Sequence, residues 1–142
     1  MVELHPQRRA ASATARLGRT GRPVVTSGGG QTIDVAPAGL DPGFTPIDLL
    51  YSSLASCLAI SARIAASELR LLDRLEVVTV QVAGDKAEDG PGRIGEIFCE
   101  LTVKGNFDPA QLAQIVKRAE EICTVSNTLR QSPAMCVTVQ EN

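Results

Sequence analysis

The chain has 142 residues, of which 44% are apolar and 21% charged, and it carries a formal net charge of −2. That is enough chain for a single domain (1–142) with a buried core, and the charge balance supplies no basic surface of the kind that holds nucleic-acid phosphates. Four aromatic residues (Phe44, Tyr51, Phe98, Phe107) and no tryptophan also argue against a base-stacking surface.

The arginine-rich start (Arg8, Arg9, Arg16, Arg19, Arg22) lacks the apolar stretch of a signal peptide. No uncharged apolar run reaches about 18 residues, so no membrane span is expected. The expectation is a cytoplasmic protein whose four cysteines rest as thiols. The one histidine, His5, lies near the N-terminus, which leaves no Ser-His-Asp or Cys-His hydrolase and no histidine-rich metal site. Without a CxxC pair a zinc ribbon is not expected either. No metal or organic cofactor is called for.

In chain order, residues 8–17 alternate weakly enough for a strand, and Gly18 to Pro23 reads as a turn. Val24-Val25-Thr26 and Thr32-Ile33-Asp34-Val35 flank Gly28-Gly29-Gly30 as a hairpin. The triple glycine is a turn and not a phosphate loop, because no Lys-Ser/Thr follows it. After a loop from Pro37 to Phe44 comes a helix, predicted from Pro46 to about residue 70. Thr45 suits the N-cap, Pro46 the first helical position and Asp48 the third. From Leu49 to Ala62 this helix has no charge, so it is expected to be covered nearly all round, by a sheet and a partner chain.

Strands are predicted at 75–84 and 93–104, joined by a Gly- and Asp-rich turn. Ile97, Cys99, Leu101 and Val103 should share one face of the second. Asp108-Pro109-Ala110-Gln111 opens another helix by the same capping logic, with Leu112, Ile115, Val116, Ala119 and Ile122 as its apolar stripe. Ser126 is placed to cap a short last helix, and Ala134 to Gln140 reads as a final strand. The pattern as a whole predicts an α+β fold.

Chemistry has few places to reside other than the cysteines. Cys99 and Cys136 read as small core residues of strands. Cys57 lies mid-helix among Ala, Leu and Ser, where burial would raise its pKa, so a reactive Cys57 requires a nearby cation. The turn holding Arg19 and Arg22 is a candidate source. Asp48 cannot meet Cys57 on one straight helix, being ~13.5 Å away along the axis. Cys123 stands beside a possible helix N-terminus, whose partial positive charge can lower a thiol pKa.

The segment Thr45-Pro46-Ile47-Asp48-Leu49-Leu50-Tyr51-Ser52-Ser53-Leu54-Ala55-Ser56-Cys57-Leu58-Ala59 resembles the first cysteine helix of the OsmC/Ohr family, the osmotically inducible and organic hydroperoxide resistance proteins. Cys123-Thr124-Val125-Ser126-Asn127-Thr128-Leu129 resembles its second cysteine motif. The resemblance implies antiparallel sheets around long buried central helices in an intertwined homodimer. It implies a peroxidase for organic hydroperoxides, with Cys57 as peroxidatic thiolate, Cys123 as resolving thiol and a Cys57–Cys123 disulfide reduced by an external, lipoyl-type dithiol. By the same resemblance Arg19 is the activating arginine and Asp48 the carboxylate that holds it. Leu54, Leu58, Ile60 and Tyr51 would wall an apolar substrate site. The family usually has Glu at the Asp48 position and commonly Pro where Thr124 stands, and its Ohr branch carries the acid where this chain has Ile47. The chain therefore resembles the OsmC-like side more closely. The alternatives are a non-enzymatic redox sensor, a binder of small apolar ligands, or a structural dimer whose cysteines only pack.

Overall fold

A computed structural model describes residues 11–141. The chain divides into two compact units, Met1–Leu50 and Tyr51–Asn142. His5, Arg8 and Arg9 lie outside the described residues.

The first unit holds a three-stranded antiparallel sheet, β1 (Ala13–Arg16), β2 (Val24–Ser27) and β3 (Thr32–Asp34), in the order β1-β2-β3. The expected hairpin is formed: Val25 pairs with Ile33, and the glycine turn closes through the Gly30 N–H on the Ser27 carbonyl at 2.9 Å. Gly30 has φ +90°, a region that favours glycine. The strand predicted over 8–17 is described only at Ala13–Arg16.

Helix α1 (Pro46–Glu68) starts where its caps dictate. Asp48 Oδ2 accepts from the Thr45 N–H at 3.0 Å and hydroxyl at 2.9 Å, and Thr45 Oγ1 accepts from the Asp48 N–H at 3.1 Å. This reciprocal pair satisfies two of the amides that a helix start leaves open. Arg70 in the left-handed region, φ +59°, follows the end of the helix. By length and composition α1 could cross a membrane, with a mean hydropathy of 1.5, which the uncharged-run criterion overlooked; core helices meet the same description.

In the second unit a 3-10 turn (Leu72–Arg74) leads into β4 (Leu75–Lys86), which pairs antiparallel with β5 (Ile94–Gly105). α2 (Pro109–Ile122) opens on a complete capping box: Asp108 accepts from the Gln111 N–H at 2.8 Å, and the Gln111 side chain accepts from the Asp108 N–H at 3.1 Å. α3 (Thr124–Arg130) follows at once.

The core of this unit forms two clusters. Ala62, Ala65, Ala66, Leu71, Ile115 and Ala119 make one, with Leu75, Val78, Val103 and Phe107 against it. Ala62, Ala65 and Ala66 of α1 pack with Ile115 and Ala119 of α2, and Arg118 of α2 binds Glu68 of α1 at 2.8 Å. Leu54, Leu58 and Cys123 make the other, with Cys57, Val80, Val82, Ile97, Leu101 and Val125. Tyr51 reaches β4, where its hydroxyl lies so close to Gly84 that a Cβ there would collide with it.

Several expectations are corrected. Within the single chain α1 is covered on one stripe (Leu54, Leu58, Ser61, Ala62, Ala65, Ala66), and Ile60 and Ile64 lie on the face left for the expected partner chain. Residues 134–140 form no strand: they have no pairing partner in the described chain, and Met135, Val137 and Val139 are 87%, 85% and 89% exposed. Cys136 is therefore exposed and not a core residue. Cys99 is exposed too, although it sits opposite Val82 on the ribbon face that packs inward. A cleft of about 310 Å³ lies over it, bounded by Leu54, Ile97, Ser126, Leu129 and Arg130.

Candidate functional site

Two elements bring the sulfurs of Cys57 and Cys123 into contact. Cys57 lies in the middle of α1, half-buried, and Cys123 is the residue between α2 and α3, fully buried at 0% exposure. Leu54, three residues before Cys57, and Leu58, the residue after it, lie one turn apart and pack with Cys123, which holds the helix face against the α2–α3 junction.

Cys123 has extended backbone geometry, φ −71° and ψ 103°, and serves as the N-cap of α3. Its sulfur accepts from the Ser126 N–H at 3.4 Å, the contact a Ser or Asp oxygen makes at an ordinary N-cap. Ser126, expected as the cap, instead sits buried inside the helix and supplies the amide. The capping residue moves from Ser126 to Cys123 because the chain turns helical immediately after the thiol. Asn127 ties the junction further, its side-chain amide donating to the Glu121 carbonyl at 3.1 Å.

The two thiols are biased in opposite directions. Burial pushes Cys57 up, but hydrogen bonds outweigh it: from the Val125 N–H first, then the Cys123 thiol, the Ser61 hydroxyl and the Thr124 N–H. The net result is a thiol held below its ordinary range. These amides are among the donors that a helix N-terminus leaves unpaired, and they carry the partial positive charge of its dipole. Burial also pushes Cys123 up. The Ser126 N–H opposes this, while the hydrogen bond to Cys57 and the charge of the Cys57 thiolate add to it. The helix terminus thus favours the thiolate on Cys57, across the contact, and not on the cysteine that begins the helix. The cation expected for a reactive Cys57 has neutral donors in its place within this unit.

The other predicted site residues belong to the first unit. Arg19 is exposed. Asp48 holds α1 by its bonds to Thr45, which keep its carboxyl below the usual range, and among the described residues no ion pair joins it to Arg19. Arg22 donates to the Pro42 carbonyl at 2.7 Å. Of the predicted apolar wall, Leu54 and Leu58 border the sulfurs. Ile60 does not; it lines a separate groove with Arg63, Leu75 and Val77. Sequence reasoning missed Ser61 and the amides of Thr124 and Val125. Ser61 was recoverable from its spacing four residues after Cys57. The amides carry no side-chain signal.

Residues 39–138 match the family model described as OsmC-like protein, a span holding both cysteines and the elements around them. The chain belongs to the OsmC-like protein family. Similar solved structures include an OsmC-like protein from Mycoplasma pneumoniae (18% identity, 87% of this chain and 89% of that one, TM-score 0.76). An organic hydroperoxide resistance protein OsmC from Legionella pneumophila shares 21% identity over 86% and 90%, with a TM-score of 0.68. The organic hydroperoxide resistance protein OhrB of Bacillus subtilis shares 27% identity over 87% and 92%, with a TM-score of 0.64. No curated protein matches the chain. The α+β architecture with antiparallel sheets is that of the OsmC-like fold.

Proposed function

We propose that this OsmC-like protein is a thiol peroxidase for organic hydroperoxides, with Cys57 as the attacking thiolate and Cys123 as the resolving thiol. The observation that carries the reading is the packing of Cys57 and Cys123 in one core cluster, with the pKa of Cys57 lowered and that of Cys123 raised. A nucleophile needs thiolate character and access; the lowered pKa of the half-buried Cys57 favours the first and its partial exposure allows the second. A resolving thiol needs proximity and protection until its turn, which describes Cys123.

The Cys57 thiolate attacks the terminal oxygen of R–O–OH, the O–O bond breaks, and the departing alkoxide takes up a proton as the alcohol. Cys57 becomes a sulfenic acid. Cys123 attacks that sulfur, a disulfide forms and water leaves. An external dithiol, of the lipoyl type by family resemblance, reduces the disulfide by exchange and is itself oxidised to a disulfide. Leu54 and Leu58 favour a hydroperoxide with an apolar substituent. Arg19 and Asp48 remain part of the proposal by family resemblance, as the substrate-orienting cation and its partner.

A homodimer in a reducing, cytoplasmic compartment completes the reading. Its support is the solvent-exposed Ile60 and Ile64 on α1 and the alternating exposed Met135, Val137 and Val139, which have the period of an unpaired strand. Steady-state consumption of cumene hydroperoxide with a dithiol reductant tests the activity. Cys57→Ser should abolish it, and full turnover by that variant would refute the assignment.

A further inference from the structure

Ser61 is an anomaly on the buried face of α1. Its neighbours on that stripe are Leu54, Leu58, Ala62, Ala65 and Ala66, yet Ser61 is itself only 3% exposed. A buried hydroxyl without a partner costs stability, and alanine would be the better helix former there. The reacting atom is its neighbour: Ser61 follows Cys57 by four residues, one helical turn away on the same face, and its hydroxyl helps to lower the pKa of the Cys57 thiol. Ser56 provides the contrast on the same helix. It is exposed, and its hydroxyl turns back to the carbonyls of Ser52 at 2.7 Å and Ser53 at 3.2 Å.

We propose that Ser61 is a further catalytic residue, whose hydroxyl donates a hydrogen bond to the Cys57 thiolate before reaction and turns to accept one from the S–O–H group of the sulfenic acid after it. The inference rests on the peroxidase reading for its second half. The other contacts of Cys57 cannot fill both roles. The Thr124 and Val125 amides only donate, and Cys123 is consumed when the disulfide forms. A hydroxyl donates and accepts by rotation alone. Ser61 and Cys57 share one helix, so this contact survives any displacement of the α2–α3 junction. No bond to Ser61 is made or broken. Among the described residues, Cys123 is the one titratable side chain that shifts Cys57; Ser61 and the two amides are neutral.

The test is Ser61→Ala, with Ser61→Thr to restore the hydroxyl and Ser56→Ala as control, each checked for folding by circular dichroism. The first readout needs no peroxide: the rate of Cys57 alkylation by iodoacetamide against pH, resolved by mass spectrometry. Ser61→Ala should shift the profile to higher pH and slow the reaction at neutral pH by about threefold to tenfold, the effect of one lost hydrogen bond. Ser61→Thr and Ser56→Ala should keep the wild-type profile. The second readout is sulfenic acid lifetime in a Cys123→Ser background, which Ser61→Ala should shorten in favour of sulfinic acid. An unshifted profile in folded Ser61→Ala, or a shifted one in folded Ser61→Thr, would overturn the inference. Failure of the wild type to consume any hydroperoxide, with the alkylation shift intact, would refute the peroxidase reading and the second role of Ser61 but leave the first.

Discussion

Cys57 and Cys123 pack in one cluster, yet their protons are held with opposite strength: Cys57 is made more acidic than an ordinary thiol and Cys123 less. Backbone amides at the start of α3 reach across the contact to Cys57, while Cys123 pays the burial. The same junction therefore holds one half-buried thiol biased towards the thiolate and one sheltered thiol biased against it.

This asymmetry predicts the order of alkylation. Under iodoacetamide at neutral pH, Cys57 should be modified well before Cys123 in the native protein. As pH rises, the rate at Cys57 should climb through its lowered pKa and level off before the ordinary thiol range, whereas Cys123 should respond only above that range. Because neutral donors lie within the second unit, Arg19→Ala should retain a Cys57 that titrates below the ordinary range. Mass-resolved alkylation checks all three, and an ordinary thiol profile in Arg19→Ala would restore the arginine as the main activator.

Thr124→Pro isolates one donor. Proline suits the first turn of a helix, and the extended Cys123 before it already has a compatible backbone. The Thr128 hydroxyl bond to the residue 124 carbonyl, 2.8 Å, should persist. Only the Thr124 N–H is lost, the smallest of the contributions that lower Cys57. The reaction of Cys57 with hydroperoxide should slow by about twofold to fivefold, since greater intrinsic nucleophilicity partly offsets a smaller thiolate fraction. Stopped-flow kinetics gives the answer; a loss of α3 helicity would show instead that Thr124 is structural.

Ile115→Ala separates stability from chemistry. Ile115 is fully buried in the cluster that joins α1 to α2, away from the cluster of the two cysteines. Truncation should cost about 2–5 kcal/mol in chemical denaturation. The alkylation profile of Cys57 should stay where it is.

Much of this arrangement is local in the sequence and was legible there. The Thr45–Asp48 and Asp108–Gln111 boxes act within one turn, so the starts of α1 and α2 follow from residue identity. The Gly28–Gly30 turn fixes the β2–β3 hairpin for the same reason. Strand formation at 134–140 failed because alternation states a preference, while a strand needs a partner edge, and none pairs with it in the described chain. Cys99 misled for a related reason: period-2 spacing puts it on the inward face, but whether anything covers that face depends on where α3 ends. The lowered pKa of Cys57 was hidden because its largest donor is the Val125 amide, distant in sequence, which no residue type announces.

The open face of α1 predicts association. Sedimentation should give a particle of twice 15.0 kDa, and Ile60→Asp combined with Ile64→Asp should shift it to one chain, because each buried aliphatic contributes about 1.5–3 kcal/mol to such a contact. A wild-type monomer at high concentration would remove the homodimer from the account.

The most direct test of the central claim is a single-turnover titration of the reduced protein with one equivalent of cumene hydroperoxide, followed by peptide mapping without reduction. Stoichiometric alcohol and a linked peptide pair joining Cys57 to Cys123, with Cys99 and Cys136 still free, are the expected products. Unreacted hydroperoxide together with free Cys57 and Cys123 thiols would contradict it.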